Sequence, residues 1–487
     1  MLKATGGEAT AVALAAPPAE GAGGAFAHPG LLHTRTDLER MAAKVKAGAA
    51  PYTAGFARLT ANRHAQMGWR ANPQATVYRG GGSPQNYAIL YNDIHAAYQN
   101  ALRYHVSGEK AHADTAVAVL NAWSAKLTSI GGSADRFLAA GLYGYQFANA
   151  AELVRDHADF DLAGAKKVLL NVFSPLSESF LSDHNGAVIT NYWPNWDLTA
   201  MACVLATGIF CDDRARVERV VEYFKSGAGL GAVRHAIPVV HDDGLAEWLE
   251  AGRDQGHTLL GVGLMGTVCE MAWNQGIDLY GYDDSRFLKG AQYVAKWSLG
   301  GGVPYTANTR RKGAIGGWSG SETASGVASA SPAMSRPVWA MIANHYTKRR
   351  GLSATYLTRI AAKAAPEGGG GDYGPNSGGY DQLGFGTLAY TRDRSADPSA
   401  APTPAAPEGA GAGARTRADG SPDPAETAET TGTSASAPGS GKGLAATGSE
   451  EVIGWSAAAG VTAVAGGLLL LRRRDRGRGP EQEGTRS

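Results

Sequence analysis

Apolar residues recur at helical spacing along most of the chain between His28 and Asp393. In "DIHAAYQNALRYHVSGEKAHADTAVAVLNAWSAKL" (93–127) two amphipathic segments meet at Ser107-Gly108, where glycine lets the backbone leave the helix. "FLAAGLYGYQFANAAELVRDH" (137–157) predicts another helix. "LTAMACVLATGIFCDDRARVERVVEYFKSG" (198–227) predicts two, separated at Cys211-Asp212-Asp213. Further helices are expected over Leu259–Trp273, Ser285–Leu299, Arg336–Lys348 and Ser353–Ala364. Period-two alternation is scarce, and no hairpin is predicted. About a dozen helices joined by short turns point to an all-α domain over residues 28–394, an (α/α) toroid rather than a small bundle. No fixed period recurs, which argues against a solenoid of regular repeats. In a toroid the loops at one end line a groove, where unusual polar stretches should collect.

Beyond this domain the composition changes. Residues 395–443 are Pro, Ala, Gly, Ser and Thr with scattered charge, as in "PSAAPTPAAPEGAGAGARTR". Such a segment buries too little apolar surface to offset its ordering entropy, which predicts a disordered linker. Residues 444–487 hold the motif Leu444-Ala-Ala-Thr-Gly448, an apolar run from Val452 to Leu471 and the cluster Arg472 to Arg474. The run is long enough to span a bilayer, and the arginines would keep its far end in the cytoplasm. Motif, span and basic tail in that order resemble the cell-wall sorting signal of Gram-positive bacteria, in its actinobacterial alanine-containing form. The resemblance implies that a sortase cuts between Thr447 and Gly448, joins Thr447 to a peptidoglycan precursor and leaves the domain outside the cell. A plain single-span membrane anchor is the alternative. Residues 1–27 have one basic residue, Lys3, a short apolar patch and a small-x-small ending at Ala25-Phe26-Ala27. They read as a truncated or remnant leader outside the fold.

The net charge of +1 gives no broad electrostatic case for nucleic acid, though a local basic cleft could still hold a polyanion. Ten Trp and 19 Tyr against 11 Phe suit surfaces that stack on sugars, and suit amphipathic core edges equally. Cys203 and Cys211 lie on one predicted helix about 12 Å apart in rise, too far to bridge. These two and Cys269 read as small buried apolar residues. No Cys/His spacing matches a zinc site, so the sequence calls for no metal and no cofactor.

The stretch "EWLEAGRDQGHTLLGVGLMG" (247–266) runs a charged loop directly into a buried-looking helix. Charged groups there cost free energy unless paired or in use. Together with "AAGLYGYQFANAAELVR" (139–155), "NYWPNWDLTAMACVLATGIFCDD" (191–213), "SRPVWAMIANHYTKRRGL" (335–352) and "GGYDQLGFGTLAY" (378–390), it resembles the alginate lyase family of polysaccharide lyases. The resemblance implies an (α/α) toroid that cleaves an acidic, uronate-containing polysaccharide by β-elimination without an obligatory metal. Family members commonly carry an Asn-Trp where this chain has Asn195-Trp196, and a Gly-Arg-Asp-Gln-x-His where it has residues 252–257. Leu249-Glu250-Ala251 departs from the Gln-Glu-Ser common before that motif but keeps the glutamate.

Elimination removes the proton at C5 beside a carboxylate and expels O4, so the carboxylate must first be neutralised by fixed donors. Asn195 is the candidate neutraliser and His257 the candidate base, with Tyr305 in "GGGVPYTANTRRKG" the candidate acid. Tyr192, Tyr145 and Tyr346 are alternatives for the acid, and His241 is an additional proton carrier. Arg253, Gln255, Arg310, Trp196 and Tyr192 are candidate substrate contacts, with Arg311 close to Arg310. Trp193, Trp196 and Trp248 could stack on sugars or pack in the core, and Arg253 with Asp254 could be a structural pair. Two other functions fit the same residues. A toroid glycoside hydrolase would need two opposed carboxylic acids from Asp242, Asp243, Glu247 and Glu250. A wall-displayed uronate-binding adhesin would bind without turnover.

Overall fold

The computed structural model describes residues 25–81, 85–371 and 379–396. The expected linker and sorting signal, with Thr447, Gly448 and the 452–471 run, lie outside these residues, as does most of the expected leader. Among the described residues no helix is long and apolar enough to cross a membrane.

The chain opens with α1 (Arg35–Lys46), α2 (Tyr52–Thr60), β1 (Thr76–Arg79), α3 (Tyr87–Ser107), α4 (Lys110–Lys126) and β2 (Ser129–Gly132). It continues through α5 (Asp135–Glu152), α6 (Leu162–Val168), α7 (Ser174–Asp183), α8 (Pro194–Phe210), α9 (Arg214–Ser226) and α10 (Val233–Ala236). The last third holds α11 (Gln255–Trp273), α12 (Tyr282–Ser298), β3 (Asn308–Gly313), β4 (Ser319–Ala324), α13 (Trp339–Asn344), α14 (Thr355–Ala364) and α15 (Gly386–Tyr390).

Hydrophobic pattern sorts these helices into two layers. Helices α8 and α11 are apolar or small on every side, and every residue of both is buried. Helix α5 is buried throughout except at Arg136. These form the inner layer, with α5 packed between α3 and α8, and α8 packed between α5 and α11. Helix α9 shows the outer pattern: Val217, Val220 and Phe224 face inward while its charged residues face out. Helices α4, α7, α9 and α12 back α3, α5, α8 and α11 respectively. The α5–α8 crossing is close because Gly141 sits on the backbone of Thr199; a Cβ there would meet the Thr199 side chain at 2.2 Å. Helix α13 meets α15, α15 meets α1, and α1 meets α3, so the last helix joins the array back to the first.

An ionic cluster locks that closure. Asp37 caps α1 reciprocally with Thr34 and accepts from Arg40 at 2.6 Å and from Arg392 at 2.5 Å. Arg392 also lies 3.5 Å from Glu270 on α11, which Arg349 reaches at 2.9 Å.

The structure corrects the sequence reading in four places. A β-hairpin exists where none was expected: β3 and β4 pair antiparallel with Arg310 opposite Glu322 and Lys312 opposite Gly320. Its strands are polar on both faces, so no apolar alternation marks them. A second small sheet joins β1 and β2 in parallel. The predicted 336–348 helix divides into α13 and a π-turn over His345–Arg349. Cys211 is only partly buried, whereas Cys203 and Cys269 are buried, and all three are free thiols.

Burial alone would raise the Asp37 carboxyl, but Arg392 and Arg40 outweigh it and hold it well below the usual carboxylate range. A depressed carboxylate contributes stability above its unfolded-state pKa of about 4, and that contribution is lost as pH falls further. Asp37→Asn should therefore cost about 3 kcal/mol in denaturant unfolding at pH 7. The gap from the unsubstituted protein should narrow as pH falls below about 4.

Candidate active site

The site begins at the first turns of three inner helices. Helix α8 starts on Pro194, whose fixed φ suits a first helical position where no N–H is needed. The next residue, Asn195, is fully buried and donates from Nδ2 to Glu250 Oε1 at 2.5 Å. Glu250 is also fully buried, on the short 3₁₀ turn Leu249–Gly252, and accepts from Arg253 Nη1 at 3.0 Å. Burial pushes its carboxyl up, and the charges of Arg253 and His257 pull it back.

Helix α11 follows that turn. Asp254 is its N-cap, accepting the His257 backbone N–H at 2.8 Å through Oδ1. Its other oxygen lies 2.7 Å from His257 Nδ1. An ionised carboxylate only accepts, so Nδ1 carries a proton in this contact, and in the neutral ring the open lone pair is that of Nε2. Burial opposes ionisation of Asp254, but hydrogen bonding to His257 and its charge prevail and hold the carboxyl below its ordinary range. His257 Nε2 is buried and has no hydrogen-bond partner among the described residues.

Helix α5 supplies the third group. Asp135, its first residue, is buried with Oδ1 unpartnered among the described residues. Burial raises its carboxyl, countered by Arg79 on β1 and by His257, which places all three groups in one field. Asn195 Oδ1 is likewise buried without a partner among the described residues. Three inner helices thus each offer, in the first turn, a buried polar atom that protein leaves unsatisfied. Each such atom costs about 1–3 kcal/mol unless something else meets it.

The other candidates fall around this centre. Arg253 and Arg310 approach the ring of Trp193, at 5.8 and 4.5 Å to the centroid. Arg310 also bonds the Asn191 carbonyl and pairs with Glu322. Gln255 staples the loop at Ser331, donating to its carbonyl at 3.2 Å and accepting its N–H at 2.7 Å. Tyr305 donates to the Leu249 carbonyl at 2.9 Å and packs on Gly252, where a Cβ would meet its hydroxyl at 2.2 Å. Burial, then Glu247, pushes its phenol up to about 12. His241 lies 3.5 Å from buried Glu247, which accepts the Thr306 N–H at 2.7 Å.

Several candidates are held in the core. Trp196 is buried against Phe180 and Tyr192, and Tyr192 accepts from Asn185 at 3.0 Å. Trp248 is fully buried beneath α11. Tyr145 and Tyr346 donate to the backbone carbonyls of Asp381 and Tyr280. Of the four carboxylates weighed for hydrolysis, Glu247 and Glu250 are buried and bonded as above, Asp242 is exposed, and Asp243 caps the Leu245 N–H. Among the described residues no group of three or more His, Cys, Asp or Glu is placed to hold a metal.

Sequence reasoning missed Asp135 and Arg79. Arg79 is a buried guanidinium that donates to the Tyr143 hydroxyl at 3.1 Å and stacks over Tyr87 at 5.2 Å. The available signal was "YRGGGSPQNY" (78–87), an arginine between tyrosines beside a glycine run.

The family model described as alginate lyase matches residues 57–303, which is 247 of the 487 residues. The protein is thus a polysaccharide lyase by class, and the chain belongs to the alginate lyase family. No curated protein matches it. Similar solved structures include an alginate lyase from Bacteroides ovatus, 14% identical, covering 54% of this chain and 82% of that one with a TM-score of 0.38. Another is the apo form of a variant of alginate lyase A1-III, 13% identical, covering 74% and 95% with a TM-score of 0.45. Alginate lyase A1-III from Sphingomonas species A1 is 16% identical, covering 53% and 76% with a TM-score of 0.36.

Asp254→Asn separates the two tasks of that side chain. Asparagine caps helices as well as aspartate does, so stability should change by less than about 0.5 kcal/mol. Its amide would face Nδ1 as a donor and reverse the imidazole tautomer. Turnover should fall at least about 100-fold, read as kcat beside a melting curve. Unchanged kcat would show that Asp254 serves only as a cap.

Proposed function

We propose that this lyase cleaves a uronate-containing polysaccharide by β-elimination, in an (α/α) toroid whose inner helices deliver the chemistry at their N-terminal ends. The observation that carries the reading is the buried, unpartnered Nε2 of His257, an acceptor for a proton, beside the donors of Asn195 and Arg253 gathered at Glu250. Helix N-termini favour anions, and a polyuronate brings a carboxylate with every sugar.

In this scheme the sugar carboxylate docks against the remaining N–H of Asn195 and the guanidinium of Arg253, which spread the charge that develops when C5 loses its proton. His257 Nε2 takes that proton, its tautomer held by Asp254. Electrons from the C5–H bond form the C4–C5 double bond as the C4–O4 bond breaks. A phenol returns a proton to O4, leaving an unsaturated uronate at the new non-reducing end. Tyr305 is assigned this step; it packs against the Leu249–Gly252 turn and must exchange the Leu249 carbonyl for the leaving oxygen. Neutralisation is given to amide and guanidinium donors, so the scheme uses no metal or cofactor. Separate base and acid groups suit sugars in which H5 and O4 lie on opposite sides, such as guluronate. One tyrosine alone could serve mannuronate.

The proposal also places the domain on the cell wall. Its support is the order of the Leu444–Gly448 motif, the 452–471 run and Arg472 to Arg474, with a sortase and a peptidoglycan precursor as partners.

The test incubates the full chain with polymannuronate, polyguluronate and glucuronan while ultraviolet absorbance is followed. Absorbance should rise on at least one polymer, and His257→Ala should lower the rate at least about 1,000-fold. New reducing ends without absorbance would mean hydrolysis, and tight binding without product would mean an adhesin. Tyr305→Phe should lower kcat about 100-fold or more with little change in KM if its phenol is the acid. An unaffected kcat would move that role elsewhere.

A further inference from the structure

The β3–β4 hairpin rises from the floor of the site and ends in an exposed tryptophan. Its base packs on the Leu249–Gly252 turn, where a Cβ on Gly252 would meet Ala324 at 2.8 Å. Near its middle, Arg310 covers Trp193, two residues before Asn195. At its tip Trp318 is 71% exposed and Ile315 69%, with Ile189 at 41%. These are three of the six exposed large apolar side chains among the described residues, and backbone pairing gathers them. Val188 N–H donates to the Gly313 carbonyl at 2.9 Å, and Ile315 N–H to the Gly186 carbonyl at 2.9 Å.

The orientation of Trp318 follows from the register. Alternate strand residues share a face, so Gly320 lies on the face of its partner Lys312 and of Arg310. A Cβ on Gly320 would come within 3.0 Å of the Trp318 ring, so the indole lies across the glycine on that same site-directed face. Between residues 308 and 324 there are three cations (Arg310, Arg311, Lys312) and one anion (Glu322), a local charge of +2 in a chain whose net charge is +1.

We propose that this hairpin is a distal subsite for the acidic polysaccharide, with Trp318 as the platform for a sugar ring beyond the point of cleavage. The inference rests on the uronate reading above. An indole face matches the C–H face of a pyranose, and neighbouring cations match its carboxylates. Exposed tryptophan beside positive charge fits an acidic glycan better than an apolar protein face, whose core is depleted of charge. From Asn308 to Gly313 the strand spans about 17 Å, so a substrate must be several sugars long to touch both the tip and the centre.

The test compares the full chain with Trp318→Ala and Trp318→Phe on a cleaved polymer and on its trisaccharide. Polymer binding is also followed by retardation in gels containing that polymer, and mass by sedimentation. Trp318→Ala should raise KM for polymer about 5- to 10-fold, leave kcat and trisaccharide turnover within about twofold, and lose retardation; Phe should recover most of it. Equal polymer KM and equal retardation would overturn the proposal. So would a change of oligomeric state without a change in polymer binding, which would mark the tip as a protein contact. If the unsubstituted chain cleaves none of the polymers, the lyase reading fails. The gel then still decides, since equal mobility of the two proteins in all three polymers would overturn the hairpin subsite and retardation lost with Trp318 would support it.

Discussion

The Asp254 carboxylate meets two needs that burial creates at the start of α11. A helix that is apolar on every side leaves its first N–H groups away from water, and Oδ1 satisfies the one at His257. Oδ2 accepts the hydrogen bond of Nδ1 of the same residue, which leaves the outer nitrogen as the acceptor when the buried ring is neutral. Position and tautomer of His257 therefore share one cause. Moving the helix start by one residue would lose both together.

The remaining geometry follows from packing inner helices with their first turns at a common centre. Glu250 could not remain buried alone, and it is held by Asn195 from one helix and Arg253 from the loop before the next. Arg253 and Arg310 then meet at the Trp193 ring, a soft acceptor for both cations. Both cations are also paired with carboxylates, Arg253 with Glu250 and Arg310 with Glu322.

Legibility in the sequence tracked apolar burial. Helices α8 and α11 announce themselves as long apolar runs, and the Asp254–His257 cap is visible as a polar block before one of them. The hairpin carried no such mark, because Thr309, Arg311, Ser321 and Thr323 leave its outer face polar and Arg310, Lys312 and Glu322 charge the other. Asp135 and Arg79 lie far in sequence from the motif they join, and only the packing of α5 and β1 brings them near His257. Aromatic residues were least legible: sequence alone leaves Trp196 and Trp248 divided between sugar stacking and core packing, and they lie in the core, whereas Trp318 stands exposed in a stretch that carries no motif.

The central claim is that the first turns of α5, α8 and α11 hold a uronate for proton abstraction at His257. A crystal structure of the His257→Ala chain with a short oligouronate tests it most directly. The account predicts one sugar carboxylate within hydrogen-bond distance of Asn195 and Arg253, with its C5–H directed at the space left by the imidazole. An oligosaccharide bound elsewhere, or one whose C5 faces away from that space, would contradict it.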